Sequence, residues 1–162
     1  MKGVDHEIRV LPSVLDRLID LEPKSHRDVL TTRTESVREL RHAVQRDLDN
    51  LLNSRNTFFD LPPDFAESGQ SVLTYGLPDF SAFAISSTRD QNRLRQVVET
   101  TIRAFEPRLT GIVVTLTPPT PTDRSMRLHV DARLVIDPSP EPISFDISMP
   151  LHTCKYEVKE RE

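Results

Sequence analysis

The spacing of apolar residues along the chain changes period once, and the change is sharp. Leu94, Val97, Val98, Thr101, Ile102 and Phe105 fall on one face of a helix, whereas Met126, Leu128, Val130, Ala132, Leu134 and Ile136 alternate with mostly polar neighbours. The triplet Glu106-Pro107-Arg108 stands between the two patterns.

Upstream, Val37, Leu40, Val44, Leu48, Leu51 and Leu52 predict an amphipathic helix over about 34–54, with a capping box from Ser36 and Glu39 or from Thr32 and Glu35. Its polar face carries Arg38, Arg41, Arg46, Asp47 and Asp49, which reads as a solvated surface. Before it, the segment Leu11-Pro12-Ser13-Val14-Leu15-Asp16-Arg17-Leu18-Ile19 predicts a short helix, with Ser13 as N-cap and Asp16 suited to the first turn. Its apolar stripe, on the far side of a charged, Pro23-containing connector over 22–33, marks it as a detachable docking peptide.

Residues 55–87 are irregular, punctuated by Pro62-Pro63, Gly69 and Tyr75-Gly76-Leu77-Pro78, with Phe58, Phe59, Phe80 and Phe83 free to pin an ordered loop. A second long helix starts at Ser87 or Thr88, with Asp90 or Gln91 as capping partner, and Pro107 stops it, because the residue before a proline disfavours helical backbone. Three strands follow, over 109–116, 126–137 and 143–149, separated by proline-rich loops. The expected fold is α+β: two main amphipathic helices packed on a small antiparallel β-meander, with a short N-terminal helix. Residues 1–33 form a docking motif and connector, and 34–162 the main domain.

Composition narrows the function more than it names it. With 162 residues, 36% of them hydrophobic, the chain suits one domain plus a tail. A net charge of -4 without a Lys/Arg run gives no footprint for nucleic acid. A lone Cys154 and no signal-like segment in residues 1–30 point to the cytoplasm, and no apolar run approaches the roughly 20 residues of a membrane span, so no direct membrane insertion is expected. Four scattered glycines make no phosphate loop, and His6, His26, His42, His129 and His152 lack metal-ligand spacing. Neither cofactor nor metal is expected. His129, between Arg127 and Asp131, reads as an exposed cross-strand contact.

The sharpest candidate is the Glu106-Pro107-Arg108 triplet. An Arg fork can bind a carboxylate or carbonyls in a bidentate manner, locking either the corner or a partner chain. Glu106 could instead be a general acid with Asp79 or Asp131 as companion, as in glycoside hydrolysis. The plainest alternative is a surface salt bridge, worth at most about 1 kcal/mol. Against a hydrolase, there is no Trp to form a sugar platform and no sign of a carboxylate converging on Glu106. Tyr75-Gly76-Leu77-Pro78-Asp79-Phe80 reads first as a structural turn and second as a binding surface.

Four blocks carry a resemblance. They are Leu11-Pro12-Ser13-Val14-Leu15-Asp16-Arg17-Leu18; Arg46-Asp47-Leu48 with Leu51-Leu52-Asn53-Ser54-Arg55; Ser71-Val72-Leu73-Thr74-Tyr75-Gly76-Leu77-Pro78-Asp79-Phe80; and Ile102-Arg103-Ala104-Phe105-Glu106-Pro107-Arg108-Leu109. In this order and over nearly the whole chain, they resemble the TssE family, the baseplate wedge subunits of bacterial type VI secretion systems. That family is grouped with contractile-phage wedge proteins sometimes labelled lysozyme-like. The resemblance implies a non-enzymatic structural part at the cytoplasmic baseplate of a membrane-anchored machine. Its expected partners are the wedge proteins TssF, TssG and TssK and the sheath proteins TssB and TssC.

The resemblance places Glu106, Pro107 and Arg108 at the joint to the wedge core, and Leu11, Pro12, Leu15 and Leu18 of the front motif would make a second contact. The polar tail 155–162 is expected to leave an open sheet edge that recruits a sheath strand. The old family label keeps one alternative in view, a peptidoglycan hydrolase using Glu106 as general acid.

Overall fold

A computed structural model describes residues 10, 13–18, 32–56, 69–80, 87–117, 125–150 and 155–161. Two long helices, α2 (Arg33–Asn53) and α3 (Thr88–Phe105), cover one face of a four-stranded antiparallel sheet, and a short helix α1 (Val14–Leu18) precedes them. The strands are β1 (Leu109–Thr117), β2 (Ser125–Leu134), β3 (Glu141–Pro150) and β4 (Glu157–Glu160), paired in chain order. This is the expected α+β class.

Local chemistry sets the helix ends. Of the two capping boxes available to α2, Thr32 and Glu35 form theirs: the Thr32 side chain accepts from the Glu35 amide, and the Glu35 carboxylate accepts from the Thr32 amide at 2.8 Å. The Ser87 hydroxyl accepts from the Asp90 amide at the start of α3. At the other end Glu106 leaves helical geometry with ψ of 81°, as a residue preceding proline should.

The sheet turns one face inward. Leu109, Ile112 and Val114 of β1, Met126, Leu128 and Val130 of β2 and Ile143, Phe145 and Ile147 of β3 meet Val44, Leu48, Val98 and Ile102 of the helices. Along β1 the inward set changes phase, because Leu109 and Ile112 lie an odd number of residues apart. A bulge resolves the conflict: the register passes from Thr110↔Arg133 to Val113↔Asp131, so Gly111 and Ile112 together oppose Ala132. Gly111 takes φ of +61°, a conformation glycine adopts without strain.

The tail differs from its expected form. Instead of leaving an open margin it supplies β4, with Val158 opposite Ile147 and Tyr156 and Val158 buried. Its outward main chain is bonded by side chains of α2. Asn53 donates to the Tyr156 carbonyl and accepts from its amide, each at 2.9 Å; Gln45 donates to the Val158 carbonyl at 2.9 Å, and Asp49 accepts from the Val158 amide at 3.4 Å. Arg41 adds ion pairs to Glu141 and Glu160. The α2 polar face is therefore largely a tertiary contact rather than a bare solvated surface, and among the described residues the sheet margin with nothing paired to its outer side is that of β1.

Candidate functional site

The corner between α3 and β1 is a tight turn. The Glu106 carbonyl accepts from the Leu109 amide at 3.1 Å, which places Pro107 at the turn position its fixed φ suits. The turn brings the side chains on either side of the proline together. Glu106 Oε1 accepts from Arg108 Nε at 2.6 Å and from the Arg108 amide at 3.3 Å, while Oε2 accepts from Nη2 of the same guanidinium. The Arg108 carbonyl accepts from the Val135 amide at 2.8 Å, tying the corner to the end of β2.

Arg108 also reaches α2, donating from Nη2 to Asp47 Oδ2 at 2.6 Å. Asp47 Oδ1 accepts from Arg46, and Arg46 donates in turn to Asp16 of α1 at 2.6 Å. Five alternating charges, Asp16, Arg46, Asp47, Arg108 and Glu106, thus connect α1, α2 and the corner. The local Glu106–Arg108 salt bridge does form, but with Glu106 only 3% exposed it is a buried pair rather than a surface one.

The Glu106 hydrogen bonds raise the Arg108 pKa, burial works against them, and Asp47 adds to the rise, so the guanidinium is charged at any working pH. Burial, followed by the negative charges of Asp47 and Glu106, pushes the Tyr75 phenol up. The Tyr75 ring stands edge-on to Phe105, with centroids 5.3 Å apart.

Tyr75 is held in place by its neighbour. Gly76 has φ of +104°, and a Cβ there would lie 2.4 Å from the Ser54 carbonyl oxygen. That approach lets the Leu77 amide donate to Ser54 and the Leu77 carbonyl accept from Asn56, pinning the loop to the end of α2. The structural reading of the Tyr75-Gly76-Leu77-Pro78 turn accounts for these contacts.

Of the front motif, Leu11 and Pro12 lie outside the described residues. Leu15 and Leu18 are 59% and 77% exposed. Residues 13–18 rest against α2 through the Asp16–Arg46 pair, and Ser13 caps α1 by accepting from the Asp16 amide. An open groove of about 500 Å³ is lined by Ser13 and Leu15 together with Phe105, Pro107 and Arg108. Nη1 of the Arg108 side chain is buried and has no hydrogen-bond partner among the described residues. The sequence pointed to Glu106, Pro107 and Arg108 but missed Asp47 and Arg46 as their partners. Only the Arg46-Asp47 block itself could have suggested them.

Among the described residues, Glu106 and the two carboxylates expected as its companions each have other partners. Both Glu106 oxygens accept from Arg108, Asp79 pairs with Arg55, and Asp131 lies on the outer sheet face with His129 and Ser144. His129 makes the expected cross-strand contact, to Asp146 at 2.7 Å. Among the described residues no group of three or more His, Cys, Asp or Glu side chains could hold a metal, and no helix is long and apolar enough to cross a membrane.

The sequence matches the family described as baseplate wedge protein gp25 over residues 38–139. The chain belongs to that family, as the TssE resemblance led us to expect, and is a baseplate component of a contractile machine of the phage or type VI secretion kind. No curated protein matches it. The family is one of structural baseplate proteins.

Proposed function

We propose that this subunit is part of the type VI secretion baseplate wedge, at the cytoplasmic end of a membrane-anchored machine, and links the wedge core to the contractile sheath. One observation carries the reading: the two margins of the sheet differ. On the β4 side, α2 side chains bond the outward main chain of Tyr156 and Val158, whereas β1 has no strand on its outer side among the described residues and no charged residue from Leu109 to Thr117. Natural edge strands are commonly guarded by charge or proline, so a bare, β-branched edge suits pairing with an incoming strand. TssB or TssC would supply that strand, and the subunit would template the first sheath layer.

The corner of Glu106, Pro107 and Arg108 then faces the wedge proteins TssF, TssG and TssK, with the front motif of Leu11, Pro12, Leu15 and Leu18 as a second contact. In this division residues 1–33 dock and 34–162 form the wedge domain. The test is capture of purified wedge and sheath proteins by wild type, Arg108→Lys, Val113→Lys and a deletion of residues 1–22. We expect Val113→Lys, which puts a charge on the β1 edge, to lose sheath capture alone, and the other two variants to lose wedge capture alone. Undiminished capture by all three folded variants would overturn the assignment.

A further inference from the structure

We propose that α1 and the Glu106–Arg108 corner are one composite site for a single partner segment: an aliphatic side chain seated between Leu15 and Phe105, with a neutral main-chain carbonyl beside it accepting from Nη1 of Arg108. The inference rests on the reading of the corner as a partner-binding surface, and it replaces two separate contacts with one.

Three observations lead to it. Leu15 of α1 and Phe105 and Pro107 of the corner all line the same groove, so a segment that fills it can touch both elements. Leu15 is more than half exposed in the free subunit although it borders that groove, which leaves an apolar wall uncovered. Among the described residues Nη1 of Arg108 is a buried donor without an acceptor, and buried polar groups in folded proteins are nearly always paired.

Charge selects the chemistry of the missing acceptor. The network already sets three carboxylates, Asp16, Asp47 and Glu106, against the two guanidiniums of Arg46 and Arg108. A further carboxylate at Nη1 would face Asp47 and Glu106 across one guanidinium, whereas a main-chain carbonyl adds no charge and suits the apolar walls. Nη1 has almost no exposed surface, so the groove must open for the carbonyl to enter. The wall that gives is α1, a helix of five residues, too short to stand alone and tied to α2 by the Asp16–Arg46 pair.

A double-mutant cycle on capture of purified TssF and TssG by the full chain tests this, using Leu15→Ala, Arg108→Lys and both together. Each single change is expected to weaken capture at least 10-fold, and the pair little further than the worse single change, because one segment is lost either way. Should Arg108→Lys melt early, Pro107→Ala, which leaves both charges in place, takes its position in the cycle. Effects that multiply would overturn the composite site while leaving the corner as a binding surface. If no single change weakens capture, the partner-binding reading itself fails. A 10-fold loss of affinity between low and high salt would identify a carboxylate and overturn the carbonyl. Self-association of the chain abolished by Leu15→Ala would make a second copy the occupant and overturn the proposal.

Discussion

Asp47 and Arg108, 61 residues apart in sequence, meet at 2.6 Å and join the helix that backs the sheet to the corner that starts it. Asp47 shares Nη2 of Arg108 with Glu106, which also accepts from Nε, so that neither carboxylate alone sets the guanidinium's position.

Arg108→Ala would strand the buried Glu106 carboxylate. We expect a loss of about 3–5 kcal/mol of folding stability, the usual cost of removing one partner of a buried pair. Glu106→Leu combined with Arg108→Met should lose much less, because no charge is left unpaired. Urea unfolding of the three proteins checks this, and equal losses for single and double variants would contradict it.

Gly76→Ala is expected to cost more than about 2 kcal/mol, since it combines a positive φ with a Cβ in collision with the Ser54 main chain. Gly69→Ala, where a Cβ meets nothing within 4 Å, should be near neutral. Thermal melts of the two variants decide it; a tolerated Gly76→Ala would mean that the loop is not pinned to α2.

Asn53→Ala removes both bonds to the Tyr156 main chain. A stability loss of about 1–3 kcal/mol should follow, the range for leaving buried polar groups unpaired. Amide hydrogen exchange should then rise first in β4 and leave β2 protected. Uniform acceleration across the sheet would show that β4 is not a separable element.

Asp16 titrates below the usual carboxylate range. Its partial burial opposes this, but hydrogen bonds from Ser13 and Arg46 and the Arg46 charge prevail. A depressed folded pKa means that the stabilisation is complete above the unfolded carboxylate range, about pH 4, and fades as the pH falls through the folded value. Nuclear magnetic resonance of the Leu15 methyls should therefore report α1 leaving α2 only in acid, and Asp16→Asn should release it at neutral pH. A position unchanged in Asp16→Asn would remove the ion pair from the account.

The elements legible in the sequence were those with repeated apolar spacing, namely α2, α3 and the first three strands. β4 escaped because an edge strand needs only Tyr156 and Val158 turned inward, and two residues make no period. The bulge in β1 was not read from the sequence, because its location depends on the β2 register. At the site, proline chemistry made the corner readable. The partners of α2's polar residues were not readable, because Asp47, Asp49, Gln45 and Asn53 meet atoms from 61 to 113 residues away and carry no local mark of it.

The unlike margins of the sheet have a consequence for the subunit in isolation. Head-to-tail stacking of copies into a filament would need one copy's β1 to lie along another's β4, and α2 side chains already bond the outward main chain of Tyr156 and Val158 there. Like edges meeting about a two-fold axis close on themselves and stop. A bare strand of this kind normally invites runaway fibre growth, and the clasp of α2 on the far side is what makes its exposure safe.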